Sequence, residues 1–142
     1  MTTRLGFLVG SLAVLSIVSC SDRMGPTQIR LEAGVITGTC FKDVNGNGLR
    51  DPGEPGFPGV SIMLMTCPPT SACSGITVAQ TISASDGSFG FTGVEMGGYR
   101  VAEETPGGYV QTIPVGGSNF PVTLDSSHPW ASRLLFGNQR QN

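Results

Sequence analysis

The chain has 142 residues, a formal net charge of −2 and 39% hydrophobic residues, which is enough for one globular core but not two. Its 21 Gly and 10 Pro exclude a helical bundle, because both residue types interrupt helices. The basic residues are scattered rather than clustered, so no nucleic-acid partner is expected. With one Lys, one His and one Trp, no enzyme is expected either.

Arg4 and the apolar residues 5–18 form an export signal too short to span a bilayer comfortably. It ends in Ile17-Val18-Ser19-Cys20, which resembles the lipobox of bacterial lipoproteins. The resemblance implies cleavage before Cys20 and acylation of that residue, so that the membrane is a partner through its lipid. Several acyl chains on one residue anchor firmly, each buried CH₂ contributing roughly 0.8 kcal/mol. The alternative is an ordinary secretory signal, or an uncleaved anchor, with Cys20 incidental. Ser21 stands where lipoproteins retained in the inner membrane often carry Asp, so in a cell with two membranes the resemblance points to the outer membrane or cell surface. Residues 1–19 are thus read as signal, 20–33 as a polar tether containing Gly25-Pro26, and 34–142 as one domain.

From Gly34 onward, short apolar alternations are broken by clusters of Gly, Pro, Asn and Asp. The period of two predicts seven strands, at residues 35–42, 59–66, 76–84, 88–92, 99–104, 119–124 and 132–137. Asp86-Gly87 predicts a tight hairpin turn, since Gly tolerates positive φ. Short strands at this spacing indicate an all-β, two-sheet sandwich.

Between the first two strands, residues 43–54 fill every position of a twelve-residue calcium loop. Asp43, Asn45 and Asn47 fall at positions 1, 3 and 5, Gly48 at the sharp turn of position 6 and Leu49, through its carbonyl, at 7. Asp51 stands at 9 and Glu54 at 12, where a carboxylate binds through both oxygens. A hard cation takes six to eight oxygens at about 2.4 Å, which alternate residues of a tight loop supply together. The expected cofactor is Ca²⁺; the alternative is a polar turn that binds nothing. A strand precedes the loop and Pro55-Gly56-Phe57-Pro58 follows it, so the exit helix of an EF-hand is excluded. Asp43→Ala or Glu54→Ala is expected to lower stability in calcium and change little in chelator.

Beyond Cys20 three cysteines remain. Cys67 and Cys73 bracket a short polar insert and are expected to form a disulfide, the alternative being two free thiols. Cys40 has no obvious partner and reads as a small buried hydrophobe in a strand.

As a set, Ile36-Thr-Gly-Thr-Cys-Phe-Lys-Asp43, Asn45-Gly-Asn-Gly48, Asp51-Pro-Gly-Glu54, Ser85-Asp-Gly-Ser-Phe-Gly-Phe91 and Gly98-Tyr-Arg-Val-Ala-Glu-Glu-Thr-Pro-Gly-Gly-Tyr109 resemble the SdrD B-like domain of the Cna B-type group. The resemblance closes on Leu135-Phe136-Gly137. It implies a seven-stranded prealbumin-like β-sandwich stiffened by calcium, held by Asp43, Asn45, Asn47, the Leu49 carbonyl, Asp51 and Glu54. It also implies a spacer role in surface adhesins. Some relatives join a first-strand Lys to a last-strand Asn by an isopeptide bond assisted by Glu. Lys42, Asn138 and Glu103 supply those types, but Lys42, directly before Asp43, is expected to point to solvent.

The expected function is therefore a calcium-stabilised, lipid-anchored cell-surface domain with a non-enzymatic structural or adhesion role. The alternative is a carbohydrate- or peptide-binding module with an extracellular protein or glycan ligand, which requires Trp130, His128, Tyr109 and Phe57 to share one exposed face. Asp125, Ser126, Ser127 and His128 carry the residue types of a hydrolase triad, yet adjacency in sequence is not the geometry a triad requires.

Overall fold

The computed structural model describes residues 33–67 and 75–141. The signal segment, the tether and Cys20 lie outside the described residues. Among the described residues there are eight strands, one more than the pattern predicts: β1 (Gly34–Lys42), β2 (Ser61–Thr66), β3 (Thr77–Ile82), β4 (Ser88–Val94), β5 (Gly97–Glu104), β6 (Tyr109–Ile113), β7 (Phe120–Leu124) and β8 (Trp130–Arg140). They form two four-stranded sheets, ordered β4-β1-β8-β6 and β3-β2-β5-β7. The β1–β8 pair is parallel and every other pair antiparallel.

The core lies between the sheets and follows from the period-two alternation. Ile36 and Cys40 of β1, Phe89 and Phe91 of β4, and Phe136 of β8 face Ile62 and Leu64 of β2, Val101 of β5, and Val122 and Leu124 of β7. Phe136 is the hub, its ring 5.9 Å from Phe89 and 5.1 Å from Phe120.

Three features depart from the sequence pattern. The missed strand, β6, places Gln111 where an apolar residue would continue the alternation. Gln111 is buried, and its Nε2 donates to the carbonyls of Pro114 and Ser118 at 2.7 and 2.8 Å. The Asp86-Gly87 turn is tight, with Gly87 at φ 83°, but it joins β3 in one sheet to β4 in the other rather than closing a hairpin. Between the Ile36–Ala131 and Gly38–Leu134 pairs, one residue of β1, Thr37, opposes two of β8, Ser132 and Arg133. The extra residue is accommodated by Arg133 at φ 64°, a bulge that shifts the inward face of the strand.

The segment after the loop is pinned against the Asp86-Gly87 turn. Phe57 N donates to the Cys40 carbonyl at 2.8 Å, and a Cβ at Gly56 would collide with the Asp86 carbonyl. Backbone cannot yield as a side chain does, so Gly56→Ala is expected to destabilise by about 1–3 kcal/mol through overpacking. The urea midpoint of the variant checks this.

Candidate metal centre

Residues 43–54 leave β1 at the bottom of the sandwich and return to it at the isolated bridge between Phe41 and Gly56. The loop is closed by Lys42 N donating to the Pro55 carbonyl at 2.9 Å and Asp43 N donating to the Asn138 carbonyl at 3.0 Å. Gly46 and Gly48 take φ of 72° and 75°, which lets the chain curl around Asp43.

Asp43 organises the loop. Its side chain is 1% exposed, with Oδ1 accepting from Gly46 N at 2.7 Å and Asn47 N at 3.2 Å, and Oδ2 from Gly48 N at 2.8 Å. Burial opposes its charge, but the neighbouring Thr112 hydroxyl and the amides of Gly48, Gly46 and Asn47 outweigh it and hold the carboxyl below its ordinary value. A depressed folded pKa contributes stability above the unfolded pKa, here 3.8, and that contribution is lost as pH falls through the folded value. Glu54 closes the loop from its far end, Oε1 accepting from Val44 N at 2.8 Å and Oε2 from Asp51 N at 3.1 Å.

The remaining oxygens gather around Asp51. The amides of Asn45 and Asn47 both reach Asp51 Oδ2 at 2.8 Å, while their own Oδ1 atoms accept from Asn47 N at 3.1 Å and Leu49 N at 2.8 Å. The Leu49 side chain is exposed, which suits a residue contributing only its backbone. Among the described residues, the one nitrogen–carboxylate contact of ion-pair length joins the His128 ring to Asp125, so Asp43, Asp51 and Glu54 have no Lys or Arg partner there. Among those residues, too, no three His, Cys, Asp or Glu side chains form a metal-holding group by themselves. An ion here needs amide and carbonyl oxygens as well, the donor mixture calcium accepts. The chemistry of the donor set fits, since every predicted ligand atom is an oxygen.

Sequence reasoning missed the support behind the loop. Gln111, Thr112 and Ile113 of β6, with Val115, line a cavity of about 350 Å³ against Gly46, Asn47 and Gly48. Thr112 Oγ1 is buried beside Asp43 without a partner of good hydrogen-bond geometry. The signal was hidden with β6 itself.

Other predicted groups are sorted by the fold. Cys67 is disulfide-bonded; Cys73, its expected partner, lies outside the described residues. Cys40 is a buried thiol, pushed up to about 12 by burial and the nearby Glu103, against a smaller opposing effect of Ser83. The four aromatic-patch residues do not share one face. Phe57 and Tyr109 pack at 4.7 Å near the loop, whereas Trp130, 64% exposed, pairs with Val35 at the other end of β8. Tyr109 pairs with Arg140, so the two ends of that strand are roughly 33 Å apart. Asp125, Ser127 and His128 form a solvent-exposed turn. Ser127 Oγ donates to Asp125 Oδ1 at 2.5 Å, and backbone N–H groups of Ser127 and His128 bond the same oxygen. The Ser127 hydroxyl, with the His128 and Ser127 amides, brings Asp125 down to about 2.

Lys42 stands opposite Asn138 in the β1–β8 register, but its Nζ lies 5.0 Å over the Phe57 ring. Glu103 and Asn138 meet in the core, Asn138 Nδ2 donating to Glu103 Oε2 at 3.0 Å.

Solved structures share this fold. The shaft pilin SpaA of Lactobacillus rhamnosus GG aligns with a TM-score of 0.55 at 13% identity, covering 78% of this chain and 52% of that one. The Bacillus anthracis TIE protein aligns at 0.54 and 16% identity, over 76% of this chain and 17% of that one. The architecture is therefore the β-sandwich found in pilin domains. Among curated proteins, serine-aspartate repeat-containing protein F of Staphylococcus epidermidis is 35% identical over 79 residues, 56% of this chain and 4% of that protein. A bone sialoprotein-binding protein of Staphylococcus aureus is 32% identical over 73 residues, 51% of this chain and 6% of that protein. The match thus spans only a small fraction of these relatives' length. The family model of the SdrD B-like domain matches residues 34–133, and the chain belongs to that family.

Proposed function

We propose that this chain is a calcium-stabilised, lipid-anchored domain of the cell surface with a structural or adhesion role and no enzymatic activity. The observation that carries the calcium reading is the loop itself. Three carboxylates and two carboxamides share twelve residues, with no Lys or Arg ion pair among the described residues to neutralise them. Asp43, Asn45, Asn47, the Leu49 carbonyl, Asp51 and Glu54 would hold the ion. Bound there, calcium supplies charge neutralisation and crosslinks the ends of the loop. The chain's own residues do the rest: β1 positions Asp43, the positive-φ glycines turn the backbone amides inward, and the Gly56 contact with the Asp86-Gly87 turn fixes the exit.

Surface location draws support from the family's curated relatives, among them a bone sialoprotein-binding protein, and from the shaft pilin that shares the fold. Lipid anchoring rests on the cysteine at the end of the signal, Cys20. Protease treatment of intact cells tests both parts. The domain is expected to be accessible at the surface, resistant in millimolar calcium and digested in chelator. Cys20→Ala is expected to release the protein from the membrane fraction. Equal digestion with and without calcium would remove the structural role of the ion; retention of the variant in the membrane would remove the lipid anchor.

A further inference from the structure

Asn138 on β8 and Glu103 on β5 connect the two sheets through the core, at 0% and 8% exposure. One hydrogen bond is made, from Asn138 Nδ2 to Glu103 Oε2. The other two polar atoms of the same pair, Glu103 Oε1 and Asn138 Oδ1, are buried with no partner. While Glu103 is ionised both are acceptors, and two acceptors cannot satisfy one another. A single hydrogen on Oε1 resolves both. Carboxyl and carboxamide then face each other through two antiparallel bonds, N–H to the carboxyl oxygen and O–H to the amide oxygen.

We propose that Glu103 is carried as the neutral carboxylic acid, forming a two-bond clasp with Asn138 that ties the sheets together and opens as the proton is lost to solvent.

The surroundings favour this state. Burial raises the Glu103 carboxyl to about 7, against the smaller downward pull of the Asn138 bond. The titratable neighbour is Cys40 on β1, itself held protonated. Ile62, opposite on β2, is apolar. The Lys42 ammonium sits over Phe57, and Asp43 is turned to the loop amides, so neither a cation nor a second carboxylate faces the clasp from β1. An acid whose folded pKa is raised contributes stability that is complete below the unfolded value, 4.5, and is lost as pH rises through about 7. The clasp is closed in mildly acidic surroundings and open in alkaline ones.

Urea unfolding of the purified protein across that window, in calcium-free buffer, tests the clasp. The folding equilibrium constant is expected to fall by up to about tenfold per pH unit as the proton is lost. In Glu103→Gln the amide supplies the second donor at every pH, so this slope is expected to vanish and the variant to exceed the wild type at alkaline pH. Every other titrating group is shared, and identical slopes in the two proteins would overturn the proposal. Infrared spectroscopy of wild-type protein carrying isotope-labelled glutamate gives a readout independent of whether the variant folds. A protonated carboxyl band that persists at mildly acidic pH, where exposed glutamates are ionised, is expected. Its absence would overturn the proposal.

Discussion

Ten millimolar calcium is expected to raise the thermal unfolding midpoint by roughly 10–20 °C, and magnesium is expected to leave it nearly unchanged. Extracellular calcium modules bind with Kd on the order of 10⁻⁴ to 10⁻³ M. At the tight end, a hundredfold excess of ligand over Kd stabilises the folded state by about 2.7 kcal/mol. For a domain of this size each kcal/mol moves the midpoint by about 4–8 °C. Magnesium demands octahedral geometry at shorter distances and sheds its water reluctantly, so a wide loop of mixed oxygens discriminates against it. The structure changes which substitution isolates the ion. Asp43 accepts three backbone N–H groups and Glu54 two, so alanine at either position weakens the loop in chelator as well as in calcium. Asp51 Oδ2 accepts only the two Asn side chains. Asp51→Ala is therefore expected to abolish most of the calcium shift while the chelator midpoint stays close to wild type. Calorimetry in the two conditions separates these outcomes, and an undiminished shift would remove Asp51 from the ligand set.

Phe136→Ala is expected to destabilise the domain by about 3–5 kcal/mol, the range for deleting a buried aromatic ring. Phe136 is fully buried and touches aromatic rings on either side, Phe89 from its own sheet and Phe120 from the other. A cavity there cannot collapse easily, because β8 is held on both edges, by β1 and by β6. At about 4 °C per kcal/mol, the midpoint should fall by at least about 12 °C. Exposed Trp130 on the same strand provides the control, since its removal leaves no cavity. A loss below about 1 kcal/mol for Phe136→Ala would mean that the packing between the sheets differs from that described.

Local chemistry made much of this readable from the residues. Alternation located β1, β2, β4, β5 and β7, because each has one buried face of apolar side chains. The Asp/Asn/Gly spacing of residues 43–54 located the loop, because its turns depend on neighbouring residues and on glycine at positive φ. Asp86-Gly87 announced a turn for the same reason. Pairing was not readable. Nothing local distinguishes a turn that closes a hairpin from one that crosses between sheets, and β3 and β4 part at that turn because their ladders are made with β2 and β1.

The remaining features depend on residues far apart in the chain. Gln111 hides β6 from any hydrophobic pattern, since its burial is tolerable only once the Pro114 and Ser118 carbonyls curl back to accept its amide. Thr112 reaches the loop only through that strand. Glu103 and Asn138, separated by 35 positions, are singled out in the sequence only by the family resemblance, and their contact forms only when the two sheets close over them. The residues alone specify strand faces and an oxygen-rich loop, because those follow from side-chain period and backbone freedom. Strand partners, the buried acid–amide pair and the separation of Trp130 from Tyr109 arise only when the sheets stack, because burial and long-range pairing belong to the assembled fold.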